Sequence, residues 1–247
     1  LFMPETTRAT LDVIRDTVLA AKAAGAKAFT VVDSQGIARP RAIWLLVSKI
    51  REWTGLGVEV HCHNDFGLAV AYVLAAYEAG ATRLHVAVNS VGYRAGNAAL
   101  EEVVMALEAI YGVDTGIRLE MLPWLSQVVA EITGIQPGYF KAIVGSGAFA
   151  YEQWSAIDLL ERGNVRPIAF PFEPEVVGRK PTLAIGKWSD LGAVAKKLAD
   201  FGLTASADQM GRMLRRGQTA GVAYHRPLTD DEFLEIALAE GAVRGEP

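Results

Sequence analysis

Apolar and polar residues in the first 110 positions follow two periodicities in turn. Short apolar runs rich in β-branched residues predict strands over 26–32, 58–61 and 84–88. Apolar residues that recur every three or four positions predict amphipathic helices over 6–25, 40–55, 67–79 and 97–110. Each strand ends in a polar loop and the connections are short. This alternation predicts parallel βαβ units with helices packed outside a sheet.

The alternation ends near residue 112. Residues 113–119 are predicted as a loop, and helical periodicity resumes over 120–133, 191–201, 207–216 and 230–239. Thr229 precedes three acidic residues and is predicted to cap the last of these helices. Four prolines, Pro167, Pro171, Pro174 and Pro181, predict an extended linker over 165–181. We therefore divide the chain into three parts: a domain of βαβ units over 1–112, a linker and helical subdomain over 113–183, and a small helical subdomain over 184–247.

Composition and charge argue against several kinds of partner. The chain has 247 residues, of which 51% are hydrophobic, and a net charge of −4. No basic run accompanies its 24 Lys and Arg residues, so we expect no nucleic-acid partner. No apolar run is long enough to span a bilayer, and we expect no membrane partner and a cytoplasmic location. The single cysteine, Cys62, excludes an intrachain disulfide.

The segment from His61 to Gly67, which follows the strand predicted over 58–61, carries the candidate chemistry. Successive side chains of a strand point to opposite faces, so His61 and His63 share one face and Cys62 takes the other. Two imidazoles at this spacing can chelate a transition metal. On these residues alone, a hydrogen-bonded pair of structural histidines remains the alternative.

A second loop, running from Asn89 to Glu102, makes the pattern recognisable. Together with His61–Ala69, this stretch resembles the isopropylmalate synthase and homocitrate synthase family, the Claisen-condensing branch of the metal-dependent TIM-barrel lyases. The segment 33–36 resembles an Asp-Thr-x-Gly signature of the family, and 143–150 and 174–179 resemble stretches beyond its barrel. Several long motifs in the family's order weigh against the structural alternative for the histidines.

The resemblance implies an α/β fold: the C-terminal half of a TIM (β/α)8 barrel followed by mainly helical subdomains. It also implies that His61, His63 and Asn97 bind a divalent metal ion, with a fourth ligand, an Asp, at the end of the first barrel strand. Matched motif to motif, Leu1 falls near the end of the fifth of eight strands. We expect the N-terminal half-barrel to be either a separate subunit or another part of the same polypeptide, because an open half-barrel leaves sheet edges and an apolar face uncovered.

The same resemblance implies an acyltransferase of amino-acid biosynthesis. It would condense an acyl-CoA, expected to be acetyl-CoA, with a 2-oxo acid to give a 2-hydroxy dicarboxylic acid, using Mg, Mn, Zn or Co. Ser34 stands where the family has Thr and could donate to the substrate carboxylate, or could only cap the turn after Asp33. Arg94 could bind an anion of the substrate, or could pair with Glu101 or Glu102.

Several positions depart from the family pattern. Tyr93 replaces a Glu of the metal loop, Tyr151 and its neighbours replace a His-Glu-Ser-Gly run, and Trp188 replaces a further His. These changes leave the general acid or base unassigned. Tyr224 and His225 are candidates, although His225 lies in a predicted loop where a surface histidine is the alternative.

Two other functions compete with the synthase. One is an aldolase or lyase of the same superfamily. The hydroxymethylglutaryl-CoA lyase carries a Cys in a loop after the last strand, and the only Cys here is predicted to point away from the metal face. The other is a non-catalytic partner subunit, which the replaced histidines favour. In each case we expect a homodimer or a hetero-oligomer.

Overall fold

The computed structural model describes residues 1–154, 158 and 170–245. These residues form two compact units: residues 1–138 with 142–144, and residues 139–141 with the described residues from 145 onward. The predicted boundaries at 112 and 183 stay a prediction. No described helix is long and apolar enough to cross a membrane.

The first unit alternates strands with helices, as predicted. Its elements are β1 (Phe2–Met3), α1 (Leu11–Ala23), β2 (Ala28–Asp33), α2 (Pro40–Thr54), β3 (Gly57–Cys62), α3 (Ala69–Glu78), β4 (Arg83–Leu84), α4 (Leu100–Ala109) and α5 (Leu122–Thr133). The four strands lie in chain order, and every neighbouring pair is parallel. This architecture confirms the predicted α/β fold class, part of a TIM barrel followed by a helical region.

Two boundaries in this unit differ from the prediction. Helix α1 begins at Leu11 rather than near Thr6, because the Thr10 hydroxyl accepts a hydrogen bond from the Val13 N–H and caps the helix there. Residues Thr6–Arg8 form a separate 3-10 turn. The strand predicted over 84–88 is only β4, and a 3-10 turn over Val88–Ser90 follows it. Asn89, with φ of 55°, is in the left-handed region that a strand cannot accommodate.

Strand β3 separates the core from the candidate site. Val58, Val60 and Cys62 are fully buried in the core formed with α1, α2, α3 and β2. Glu59 and His61 occupy the opposite face, called the inner face here. The six-residue register with β2 pairs Val32 with His61. The alternation predicted from the sequence therefore places the imidazole of His61 away from the core.

The second unit is mainly helical. Its elements are β5 (Ala150–Tyr151), β6 (Thr182–Leu183), α6 (Leu191–Asp200), β7 (Leu203–Thr204), α7 (Ala207–Tyr224), α8 (Asp230–Ala239) and β8 (Val243–Arg244). Strands β5 and β6 pair in parallel, and β7 and β8 pair antiparallel; the hydrophobic pattern predicted none of these four short strands. Side chains of α6, α7 and α8, including Val194, Met213 and Phe233, form its core.

Helix α7 continues past the predicted end at residue 216. Gly217 lies inside it because the helix packs closely here: a Cβ at this position would lie 2.7 Å from Cγ2 of Ile185. Thr229 caps α8 as predicted, in a capping box with Glu232. Within the stretch 165–181, which is predicted to be an extended linker, Pro174–Val177 form a 3-10 turn. Pro167 lies outside the described residues, and the linker stays a prediction.

The loops that follow β2 and β3 touch at Gly36. Its φ is +61°, and a Cβ there would lie 2.6 Å from the carbonyl oxygen of His63. The hydroxyl of Tyr72, on α3, donates a 3.0 Å hydrogen bond to the Gly36 carbonyl and so connects the loop after β2 to α3. Gly36 thus fixes how closely the loop carrying His63 approaches its neighbour.

We expect Gly36→Ala to lower the free energy of unfolding by roughly 2–4 kcal/mol, from left-handed strain together with the clash on His63. Gly55→Ala is the matched control, since Gly55 has φ of +63° and a Cβ there would meet no other atom within 4 Å. It should cost only about 1 kcal/mol. Urea titration of both variants measures the difference, and equal losses would show that the close approach contributes nothing.

We expect the Cys62 thiol to be unreactive in the folded protein. Burial, together with the charge of Asp33, raises the pKa of Cys62, and the thiolate is the reactive form. At mildly alkaline pH, a maleimide should label the peptide containing Cys62 only after guanidinium chloride is added. Mass spectrometry of the digest measures the labelling, and rapid labelling without denaturant would contradict the buried placement.

Candidate metal centre

The three predicted ligands come together at the carboxyl ends of β3 and β4. The rings of His61 and His63 lie edge to face, with centroids 5.3 Å apart. His63 forms an isolated antiparallel bridge with Asn97, the residue that ends the loop after β4. Carboxyl ends of parallel strands in such folds carry the functional residues, and these three residues follow that rule.

Two atoms of this group lack partners. His63 Nδ1 and Asn97 Oδ1 are buried and form no hydrogen bond, whereas Asn97 Nδ2 donates to the Val91 carbonyl at 3.2 Å. A buried polar atom without a partner is costly, so each such atom calls for an explanation, such as a water, an ion or a catalytic role. An imidazole nitrogen and an amide oxygen are both donors that a divalent cation accepts. The side chains present therefore fit a metal ion.

The described residues do not complete its coordination. Within 1–154, 158 and 170–245, no group of three or more His, Cys, Asp and Glu side chains is arranged to hold a metal ion. The predicted ligands within the described residues are His61, His63 and the amide of Asn97, and their role stays a prediction. A fourth, the expected carboxylate, would have to come from outside the described residues.

The backbone conformation of the loop after β4 determines the position of the Asn97 side chain. Asn89 and Ser90 both have positive φ, 55° and 62°. The Ser90 hydroxyl donates to the Asn97 carbonyl, and the Asn97 N–H donates to the Ser90 carbonyl at 3.1 Å. At Gly92 a Cβ would collide with Asn97 Nδ2, so a larger residue there would displace the amide from its present position. The short polar residues and glycines of this motif thus fix the position of the Asn97 amide.

A polar cluster on the inner face adjoins His61, and sequence reasoning missed it. The ring of His85 lies 5.7 Å from that of His61, and His85 Nε2 lies 3.2 Å from the Glu59 carboxylate. Glu59 also accepts from the Thr30 hydroxyl at 3.2 Å and from Arg83. The sequence did contain a signal for Glu59, because this residue stands two positions before His61 and therefore shares its face of the strand.

Burial and charge set the protonation of these groups. Burial, then the charges of His63 and His85, lowers the pKa of His61, so the ring is neutral at pH 7, as a metal ligand must be. Desolvation raises the pKa of Glu59, but hydrogen bonds from His85 and Thr30 and the charge of Arg83 outweigh it. The net result is a lowered pKa for Glu59, which stays ionised.

Ser34 and its neighbour Asp33 bond to the loop after β1. The Ser34 hydroxyl accepts a 2.9 Å hydrogen bond from the Glu5 N–H, rather than capping its own turn. Asp33 is buried and accepts from the Thr7 hydroxyl at 2.8 Å and the Ala38 N–H at 2.9 Å. Ser34 lies at the same end of the sheet as the predicted ligands, and its contact with substrate stays a prediction.

Arg94 pairs with a different residue from those predicted. Its Nε and Nη2 donate to the two oxygens of Asp65 at 2.7 and 3.0 Å, and Nη2 also donates to the Ser34 carbonyl at 2.5 Å. The predicted pairing with Glu101 or Glu102 is wrong, because Glu101 is buried in α4 and accepts instead from the Asn89 N–H. The hydrogen bonds from Arg94 hold the pKa of Asp65 below its ordinary value.

The remaining candidates belong to the second unit. Tyr224 ends α7, and His225 caps that helix with φ of 55°; both are exposed, and an acid or base role for either stays a prediction. The segments that depart from the family pattern contact each other there, since Glu152 accepts a 2.7 Å hydrogen bond from the Trp188 N–H. In the first unit, Tyr93 is 82% exposed beside the Asn97 loop.

Comparison with known proteins finds relatives that match over most of the chain. The chain is 38% identical to a homocitrate synthase of Methanopyrus kandleri, over 97% of the chain and 60% of that protein. Two proteins of Methanocaldococcus jannaschii match as well. Its 2-isopropylmalate synthase is 39% identical over 88% of the chain and 42% of the relative. Its (R)-citramalate synthase is 38% identical over 86% of the chain and 43% of the relative.

The chain thus spans about half the length of the curated relatives it matches. The HMGL-like family model matches residues 1–129, which include both histidines, Asn97 and every strand of the parallel sheet. A match over more than half of the chain establishes membership: this chain belongs to the HMGL-like family.

Proposed function

We propose that the protein catalyses a metal-dependent Claisen condensation of an acyl-CoA, in the first instance acetyl-CoA, with a 2-oxo acid. The condensation would form an acyl-CoA adduct, and hydrolysis of its thioester by water would give a 2-hydroxy dicarboxylic acid and release free CoA. The observation that carries the proposal is the pair of buried atoms without partners, His63 Nδ1 and Asn97 Oδ1, at the strand ends beside His61. The names of three relatives, each a synthase of this kind, support the reaction type.

His61, His63 and Asn97 would hold the divalent ion through two imidazoles and an amide oxygen. When bound, the ion would act as a Lewis acid that polarises the ketone of the 2-oxo acid. The lowered pKa of His61 keeps its lone pair available at neutral pH. Ser34, at the mouth of the same site, is our candidate to bind the substrate carboxylate.

The open edges of the sheet support a further part of the proposal. Strands β1 and β4 each pair on one side only within the described residues. We propose that a further half-barrel, in the same chain or in a separate subunit, covers the inner face and supplies the fourth metal ligand, since unpaired edges favour addition of strands. A homodimer or a hetero-oligomer would result.

The metal and the 2-oxo acid remain open within this proposal. Two imidazoles, an amide and a carboxylate suit Mg, Mn, Zn or Co. The relatives are named for citramalate, isopropylmalate and homocitrate, so their names do not single out one oxo acid. The side chains that would distinguish these acids are expected mainly in the strands of the further half-barrel.

A non-catalytic partner subunit is the second candidate function. Tyr151 and Trp188 stand where the resemblance predicts histidines, so an acid or base expected from the family is missing. A lyase that uses a loop cysteine is disfavoured, because Cys62 is fully buried in the core. A measurement of turnover with acetyl-CoA and a 2-oxo acid distinguishes an enzyme from a non-catalytic subunit.

We expect the protein, purified from its native host with any bound partner, to release thiol from acetyl-CoA in the presence of Mn²⁺ or Mg²⁺ and one member of a panel of 2-oxo acids. His63→Ala should lower the rate at least about 10³-fold, because the Lewis acid contributes several kcal/mol. A thiol reagent follows the reaction, and reactions without oxo acid measure simple thioester hydrolysis.

A chelator followed by metal add-back to the unmodified protein provides the control. Activity that chelation abolishes and metal restores would show that the loss in His63→Ala reflects the ion. No turnover with any oxo acid in a preparation that binds metal would contradict the condensing enzyme and favour the non-catalytic subunit. Turnover that survives His63→Ala would contradict the metal site.

A further inference from the structure

Arg94 connects three loops at the carboxyl ends of neighbouring strands. Its own loop follows β4 and ends at the ligand Asn97. Asp65, which its Nε and Nη2 contact at 2.7 and 3.0 Å, lies two residues after the ligand His63 in the loop following β3. Ser34, whose carbonyl accepts from Nη2, follows β2. One guanidinium therefore bridges the loops after β2, β3 and β4.

Other contacts leave little freedom between these loops. The Asn64 N–H donates to the Gly96 carbonyl at 2.9 Å, and His63 and Asn97 form a backbone bridge. Arg94 itself has φ of 56°, which an Arg adopts only when its surroundings determine it. The ion pair of Arg94 with Asp65 is the next contact along the same two loops. Three successive contacts, beginning at His63 and Asn97, therefore fix the separation of the two loops.

The exposure of this ion pair limits what it can do for stability. The side chains of Arg94 and Asp65 are 47% and 21% exposed, and ion pairs with this much contact with solvent contribute little to the free energy of unfolding. The bidentate geometry is specific to a guanidinium, because the single ammonium of Lys cannot form two parallel hydrogen bonds. This pair therefore differs from an ordinary surface ion pair in its bidentate geometry, which fixes the position of the Asp65 loop relative to Arg94.

We propose that Arg94 is a positioning residue of the metal centre, acting through Asp65 to fix the separation of His63 and Asn97. It does not touch the ion. This inference rests on the proposed metal site and departs from the expectation that Arg94 binds an anion of the substrate, since two of its guanidinium nitrogens are already engaged. Partners that orient metal ligands commonly change metal affinity about 10- to 100-fold.

The test is Co²⁺ binding, followed by visible absorption of the protein purified with any bound partner. Arg94→Ala should weaken Co²⁺ binding about 10-fold or more and change the absorption bands, which report ligand geometry. Arg94→Lys and Asp65→Asn should each weaken binding in the same direction. The double variant Arg94→Ala with Asp65→Asn should be no weaker than Arg94→Ala alone, because both changes remove one interaction.

Arg15→Ala is the matched control. Arg15 is 45% exposed in ion pairs with Asp12 and Asp16 on or beside the same turn of α1, far in sequence from the ligand loops, and its loss should leave Co²⁺ affinity unchanged. The thermal midpoint of every variant checks folding. An Arg94→Ala protein that is folded but binds Co²⁺ weakly would support the proposal, because a purely structural ion pair would lower the midpoint instead.

His63→Ala separates failure of this inference from failure of the metal site. If His63→Ala abolishes Co²⁺ binding while Arg94→Ala leaves affinity and absorption unchanged, the metal site stands and the positioning role is overturned. If the effects of Arg94→Ala and Asp65→Asn add, Arg94 does not act through Asp65, and the proposal is likewise overturned. If the unmodified protein binds no Co²⁺, both the site and the positioning role fail.

Discussion

The parallel pairing of β2 with β3 is the interaction on which the first unit depends. Its register places Val31 beside Val60 and Val32 beside His61. A shift of one residue would turn His61 into the core and Cys62 toward the inner face, because side chains alternate with a period of two. The same register brings the loops after both strands to one edge, where Gly36 meets His63. The same strand register therefore determines both which side chains form the core and which residues meet at the candidate site.

Much of this arrangement could be predicted from the chain. The helices of the first unit, the parallel sheet and the opposite placement of His61 and Cys62 follow from local periodicity, which depends only on neighbouring residues. The partner of Arg94 could not be predicted in that way, because Asp65 lies 29 residues away and only the folded loops bring it near. Its spacing places Glu59 on the face of His61, but the contact of Glu59 with His85 could not be predicted, because the two residues lie 26 positions apart.

The second unit shows a different limit of prediction. Strands such as β5 and β7 have two residues each, too few to produce a periodic signal. Gly217 looks like a helix terminator in sequence, yet it serves the contact with Ile185 in the interior of α7. The segments that carry Tyr151 and Trp188 contact each other through the Glu152 carboxylate and the Trp188 N–H. This contact uses the main chain of residue 188, so the sequence pattern of its side chain gives no sign of it.

The burial of Cys62 has a practical consequence. It is the only sulfhydryl of the chain, and the core formed by the helices and strands of the first unit encloses it completely. A cysteine introduced at an exposed position such as Tyr93 would then be the single accessible attachment point on this chain. A fluorophore or spin label placed there would report on the loop beside Asn97 without first removing a native side chain from the core.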